Sequence, residues 1–87
     1  MQPDQLVRES ERRTFTGIPT SSWYDLVTDG LAPPAVQLTK HTSASPFSEL
    51  IALNAARIAG KSDDEIRKLV KRVVAARESA FDGAETA

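Results

Sequence analysis

"GIPTSSWYDLVTDG" spans residues 17–30, and its reading decides the fold. Gly17-Ile18-Pro19 ends whatever helix precedes it. Glycine suits the left-handed position after a helix, and proline is at home in the first turn of the next one. Thr20, Ser21 and Ser22 are candidate caps for that second helix. Trp23, Leu26 and Val27 then recur at i, i+3 and i+4, which marks one buried helical face. The opposite face presents Thr20, Ser21, Tyr24, Asp25 and Thr28, and Gly30 closes the helix. No lysine or arginine occurs between Gly17 and Gly30. If this helix meets a polyanion, the attraction must come from elsewhere in the chain.

Working outward, residues 1–5 are polar, contain Pro3 and are expected to fray. Leu6, Val7 and Phe15 among charged residues fit a short helix over residues 6–16. After Gly30, Pro33-Pro34 rules out a helix, and residues 35–38 alternate as a short strand does. Lys40 to Ser45 is a polar tip, with a second short strand expected at residues 45–47, making a small β-hairpin. A further helix runs over residues 48–59, capped by Ser48 or a neighbour. The "SDDE" at residues 62–65 is a capping box that opens the last helix, which reaches about Ala80. On it, Ile66, Leu69, Val70, Val73 and Val74 form an apolar stripe that needs a cover, either the chain's own core or a second protomer. Arg67, Lys68, Lys71 and Arg72 flank it, and are read first as a solvated face. The expected organisation is a flexible terminus (1–5), a domain of helices and hairpin (6–60), an amphipathic helix (61–81) and a disordered tail (82–87).

Composition narrows the chemistry. At 87 residues the chain makes one small domain, which hides only about 60–65% of its unfolded surface. It has no cysteine and one histidine, His41, so disulfides and thiolate zinc sites are excluded and no cofactor or metal is expected. Eleven basic residues oppose twelve acidic ones, a net charge of −1. The distribution is uneven: residues 31–72 carry seven basic side chains against four acidic, which permits a local cationic patch. The apolar run "LIAL" at residues 50–53 falls far short of the ~18–20 residues that span a bilayer. No apolar leader is visible near the N-terminus, so a cytoplasmic protein is expected, with no membrane partner.

Helix, turn, helix, hairpin wing and helix, in that order, resemble the small winged helix-turn-helix proteins of the AlpA and excisionase type. These are phage and mobile-element regulators related to the DNA-binding domain of MerR. "TGIPTSSWYDLVTDGLAPPAVQL" (residues 16–38) carries the likeness. Gly17, Ser21, Tyr24, Leu26, Val27, Gly30, Pro33 and Leu38 fall in register with the family's pattern, and "SPFSELIALNAARIAG" resembles its segment after the wing. The resemblance covers residues 6–60. It implies a mainly α fold with a small β-hairpin wing, a MerR- or excisionase-like winged helix-turn-helix plus a C-terminal amphipathic helix. Relatives carry basic residues near positions 20, 25 and 28 and a Gly-Gly-Arg wing. Here Asp25 is acidic and the tip holds Lys40 and His41, a departure that bears on affinity more than on fold.

Candidate DNA-contacting residues are Thr20, Ser21, Ser22, Tyr24 and Thr28 on the second helix, with Arg12, Arg13 and the tip residues Lys40, His41 and Thr42. Hydroxyls at a helix N-terminus bond phosphates or base edges, and a basic tip suits a minor groove. The competing readings are capping and ordinary polar surface. Asp25 either accepts from a cytosine amino group or repels phosphate. Trp23 shares its face with Leu26 and Val27 and is read as core. No nucleophile, metal cluster or phosphate loop points to an enzyme, and His41 has no catalytic constellation near it in sequence.

The expected function is therefore an accessory factor that binds double-stranded DNA. It would be an excisionase (a recombination directionality factor) or an AlpA-like transcriptional regulator, associated with the bacterial nucleoid. Its protomers would assemble cooperatively through Ile66, Leu69, Val70, Val73 and Val74, and bend DNA for a tyrosine-type integrase. The alternatives are a phage terminase small subunit, or an antitoxin-like or adaptor module whose helix-turn-helix no longer binds DNA.

Overall fold

The computed structural model describes residues 2–86, and its core gathers apolar side chains from β1, α2, the loop at Leu31 and Ala32, and the two C-terminal helices. In chain order the elements are β1 (Leu6–Val7), α1 (Glu9–Thr16), α2 (Thr20–Thr28), β2 (Val36–Thr39), β3 (Thr42–Pro46), α3 (Phe47–Ile58) and α4 (Asp63–Thr86). The chain is thus mainly helical with a small antiparallel sheet. The order is compatible with a helix-turn-helix followed by a wing. Among the described residues no helix is long and apolar enough to cross a membrane.

The turn forms as residues 17–19 dictate. Gly17 adopts φ 72° and its N–H bonds the Arg13 carbonyl, closing α1. The Thr16 hydroxyl donates to the Arg12 carbonyl and accepts from the Ile18 N–H, which holds the turn from inside. Pro19 occupies the N-cap of α2, and neither Thr20, Ser21 nor Ser22 supplies a side-chain cap. Trp23 is buried, and Leu26 and Val27 pack against the core beside it. At residues 62–65 the expected capping box is present: the Glu65 N–H donates to the Ser62 hydroxyl, which bonds the Glu65 carboxylate.

Four boundaries differ from the sequence expectation, each because a distant segment intervenes. Leu6 and Val7 are strand rather than helix. They pair antiparallel with β3, Leu6 opposite Pro46 and Val7 opposite Ser45, so the sheet order is β1-β3-β2. A two-residue strand has no local signature; it exists because β3 leaves an open edge. The expected hairpin tip shrinks to Lys40 and His41, since β3 already begins at Thr42 and the β2–β3 register is irregular between Gln37 and Thr39. The α3 helix starts at Phe47, and its first free amides are satisfied from outside: the Phe47 N–H bonds the Gln5 carbonyl and the Ser48 N–H the Pro3 carbonyl, both at 2.8 Å. Residues 3–5 thus supply backbone caps for α3, and the N-cap is Pro46, the neighbour of Phe47, with no side-chain cap from Ser48. The α4 helix continues through residues 82–86, where a tail is expected from sequence. Met1 and Ala87, the outer limits of the two stretches expected to be loose, lie outside the described residues.

At 24 residues, α4 is about 36 Å long, matching the 37 Å longest extent of the molecule. Ile66 and Val70 sink into the core with Val7, Trp23, Leu50 and Leu53. Farther along, the Arg77 guanidinium forks onto Glu49, Nε to Oε2 at 2.7 Å and Nη2 to Oε1 at 2.6 Å, and Nη2 also donates to the Pro34 carbonyl. Glu49 is only 5% exposed. The pairing holds the Arg77 guanidinium above its ordinary pKa. One side chain of α4 thereby fastens the start of α3 and the loop before β2. Total accessible surface is 5791 Å², against about 5,000 Å² for a compact chain of this mass. The excess reflects a rod laid across a small body.

Arg77→Ala strands the Glu49 carboxylate in a dry site and should cost about 3 kcal/mol. The double variant Glu49→Leu with Arg77→Met should recover most of that loss, because removing both charges also removes the desolvation penalty. Urea unfolding followed by Trp23 fluorescence measures both.

Candidate nucleic-acid interface

The α2 helix presents its polar residues outward, as its periodicity requires. Ser21, Ser22, Tyr24, Asp25 and Thr28 are exposed, with Tyr24 at 62%, while Thr20 is half-buried. The Thr28 hydroxyl is turned back onto its own helix, donating to the Tyr24 carbonyl at 3.0 Å. It keeps lone pairs for a partner but not its proton. Lys40 and His41 stand exposed at the hairpin tip, where the Gln37 amide donates to the Thr39 and Lys40 carbonyls and stiffens the turn. Thr42 is half-buried in β3 opposite Thr39, so it belongs to the ladder and not to the tip. Arg13 is exposed on α1.

Arg12 corrects the sequence reading. Expected beside Arg13 as a phosphate contact, Arg12 is only 2% exposed. Its Nη1 donates to the Ile18 carbonyl at 2.9 Å, and its guanidinium lies 4.5 Å from the centre of the Trp23 ring. Desolvation lowers its pKa from the ordinary value, with nearby Glu9 pulling the other way. Its partners lie in α1, the turn and α2, so this side chain sets the angle of the helix-turn-helix. A sequence signal was present: Arg12 stands three residues before the apolar Phe15 on the helix, a spacing Arg13 does not have.

The expected self-association stripe is largely spent in the chain's own core. Ile66 and Val70 are buried and Val74 packs against the same cluster. Leu69 and Val73 remain half-buried, each lining a different cleft. Leu69 lies in a groove of about 420 Å³ between α3 and α4, floored by Ala52, Ala55 and Ala56 and rimmed by Lys68 and Arg72. Val73 lines a cleft with Leu6, Pro46 and Ala80. A third cavity, about 220 Å³, separates α2 from the hairpin and is lined by Arg12, Trp23 and Tyr24 on one side and by Ala35, Ser43 and Ser45 on the other. None of these three spaces was visible in the sequence, because each is made where segments far apart in the chain meet.

Among the described residues no three His, Cys, Asp or Glu side chains come together as a metal site. No family model matches the chain, and no curated protein or solved structure matches it.

Arg12→Ala should lower stability by about 2–3 kcal/mol through the lost carbonyl bond, ring contact and packing. Arg13→Ala should change it by no more than about 0.5 kcal/mol. Thermal and urea unfolding of the two variants, side by side, separates the two arginines.

Proposed function

We propose that this chain is a DNA-binding accessory factor built on a winged helix-turn-helix, with α2 in the major groove and the β2–β3 hairpin as the wing against the adjacent backbone or minor groove. The observation that carries the reading is the shared cavity between α2 and the hairpin, which sets the exposed hydroxyl face of α2 beside a two-stranded arm with a cationic tip. A helix fits the roughly 12 Å major groove, and a hairpin alongside it reaches the flanking strand. Ser21, Ser22 and Tyr24 are the hydrogen-bonding contacts, with His41 beside Lys40 at the wing tip; Arg13 and Lys40 supply the attraction. Arg12 is the support that holds α2 in place. An excisionase or AlpA-like regulator acting on the bacterial nucleoid, beside an integrase and through several protomers, is the specific role this arrangement suits. With so few cations at the interface, single-protomer affinity is low, and neighbouring protomers make up the difference.

A second reading, an adaptor for a protein partner, is favoured by the α3–α4 groove, whose alanine floor and Lys68 and Arg72 rim suit an acidic helix.

Titration of the protein against duplex DNA at about 50 and 200 mM salt, by anisotropy and band shift, tests the first reading. Stepped complexes that weaken with salt are expected. Lys40→Ala should weaken binding on all sequences and reduce the log-log salt slope by about 0.9, leaving the unfolding curve unchanged. Absence of binding at the lower salt overturns the proposal and leaves the adaptor reading.

A further inference from the structure

The end of α4 carries a large apolar side chain that its own chain leaves uncovered. Phe81 is 60% exposed, one turn past the point where Arg77 fastens the helix to α3 and to the loop before β2. Helical spacing sets Glu78 and Asp82 on one flank of Phe81, with Ala80 and Ala84 on the other. The end of the rod is thus an aromatic knob between an acidic flank and a small apolar one.

The α3–α4 groove is its counterpart. Ala52, Ala55 and Ala56 floor it beside Leu69. On the α4 rim Lys61 is bridged to Glu65, while Lys68 and Arg72 form no ion pair among the described residues. The α3 side is apolar, with Ile51 and Ile58, 41% and 87% exposed, one turn to either side of Ala55. The space, about 420 Å³, has room for an aromatic ring, since an engineered cavity of about 150 Å³ takes benzene. Positive charge lines one rim of the groove, as negative charge lines one flank of the knob.

Knob and groove cannot meet within one molecule. Leu69 and Phe81 both lie on α4, about 18 Å apart along an unbroken helix, so the groove of one copy receives Phe81 only from another. Lys68 with Arg72, and Glu78 with Asp82, are like-charge pairs at i, i+4. Each is unfavourable within its own helix, and the two become complementary between copies. We propose that a second copy of this chain docks the end of its α4 in the α3–α4 groove, Phe81 on the alanine floor against Leu69, and Glu78 and Asp82 against Lys68 and Arg72. Because the two surfaces differ, the contact is heterologous: every copy offers both a knob and a groove, and copies add head to tail. The charge, shape and one-sidedness that the groove selects are all present at residues 78–84 of the chain itself. The contact stands on these two surfaces alone, and it supplies the protomer association that the DNA-binding reading calls for.

Sedimentation velocity of the full chain, from about 5 to about 500 µM, tests it. DNA is left out, so the result is independent of the duplex titration. A mean mass that rises with concentration, and falls back at about 500 mM salt, is expected. Phe81→Ser should weaken association by about tenfold or more, with the melting temperature unchanged because the site is exposed. Ala55→Glu, also at an exposed position, places an acid on the groove floor and should do the same. Mixed together, the two variants retain one intact knob and one intact groove, and should form one-to-one pairs that grow no further. A chain that stays monomeric at about 500 µM overturns the proposal and leaves the groove to a different protein. So does association that Phe81→Ser leaves untouched, or a mixture no heavier than its components.

Discussion

Arg12 is a full charge placed inside one of the smallest cores a chain can build, and the front half of the molecule is arranged around it. Burying a guanidinium is costly, and partners for its donors and its flat face offset part of that cost. Here the Ile18 carbonyl takes one donor and the Trp23 ring takes the face. Those partners sit on the turn and on α2, so the charge ties α1 to both. Gly17 makes the reversal sterically free, and the two Thr16 hydroxyl bonds keep it from opening. An apolar residue at position 12 would have packed equally tightly but would not have specified direction, because dispersion forces have no preferred geometry.

The back half rests on a second charged side chain used the same way. Arg77 joins α4 to Glu49 on α3 and to the Pro34 carbonyl before β2, and residues 3–5 cap the first amides of α3. In both places, polar groups that a larger protein would satisfy locally are satisfied by remote segments. The design follows from size: with few buried apolar residues, directional bonds to distant backbone carry much of the specificity. It also explains why α4 is a rod laid along the molecule. Its first turns belong to the core through Ile66 and Val70, and Arg77 anchors its middle.

Burial of Arg12 sharpens the electrostatic problem of the exposed face. The α2 helix carries hydroxyls and Asp25 but no cation, and one of the nearby arginines is spent in the interior. Hydroxyl and phenol groups select and position; they do not attract a polyanion over distance. In the proposed DNA-binding role, attraction would fall to Arg13 and to Lys40 at the hairpin tip, whose backbone Gln37 braces.

Local chemistry was enough to read the turn at residues 17–19, the Trp23 face of α2, the capping box at residues 62–65 and the hairpin between α2 and α3. Each depends on residues within a few positions of one another, where glycine, proline, capping groups and helical periodicity act directly on the backbone. Strand β1, the cap on α3, the inward turn of Arg12 and the pairing of Arg77 with Glu49 were decided only by the tertiary structure. In every one of these the partner lies on another element or far along the chain, and nothing in the local residues names it. The same holds for the apolar stripe of α4, whose periodicity demanded a cover. The pattern alone had no means of choosing between a second protomer and the chain's own core, because burying Ile66 and Val70 satisfies the hydrophobic effect equally in either place.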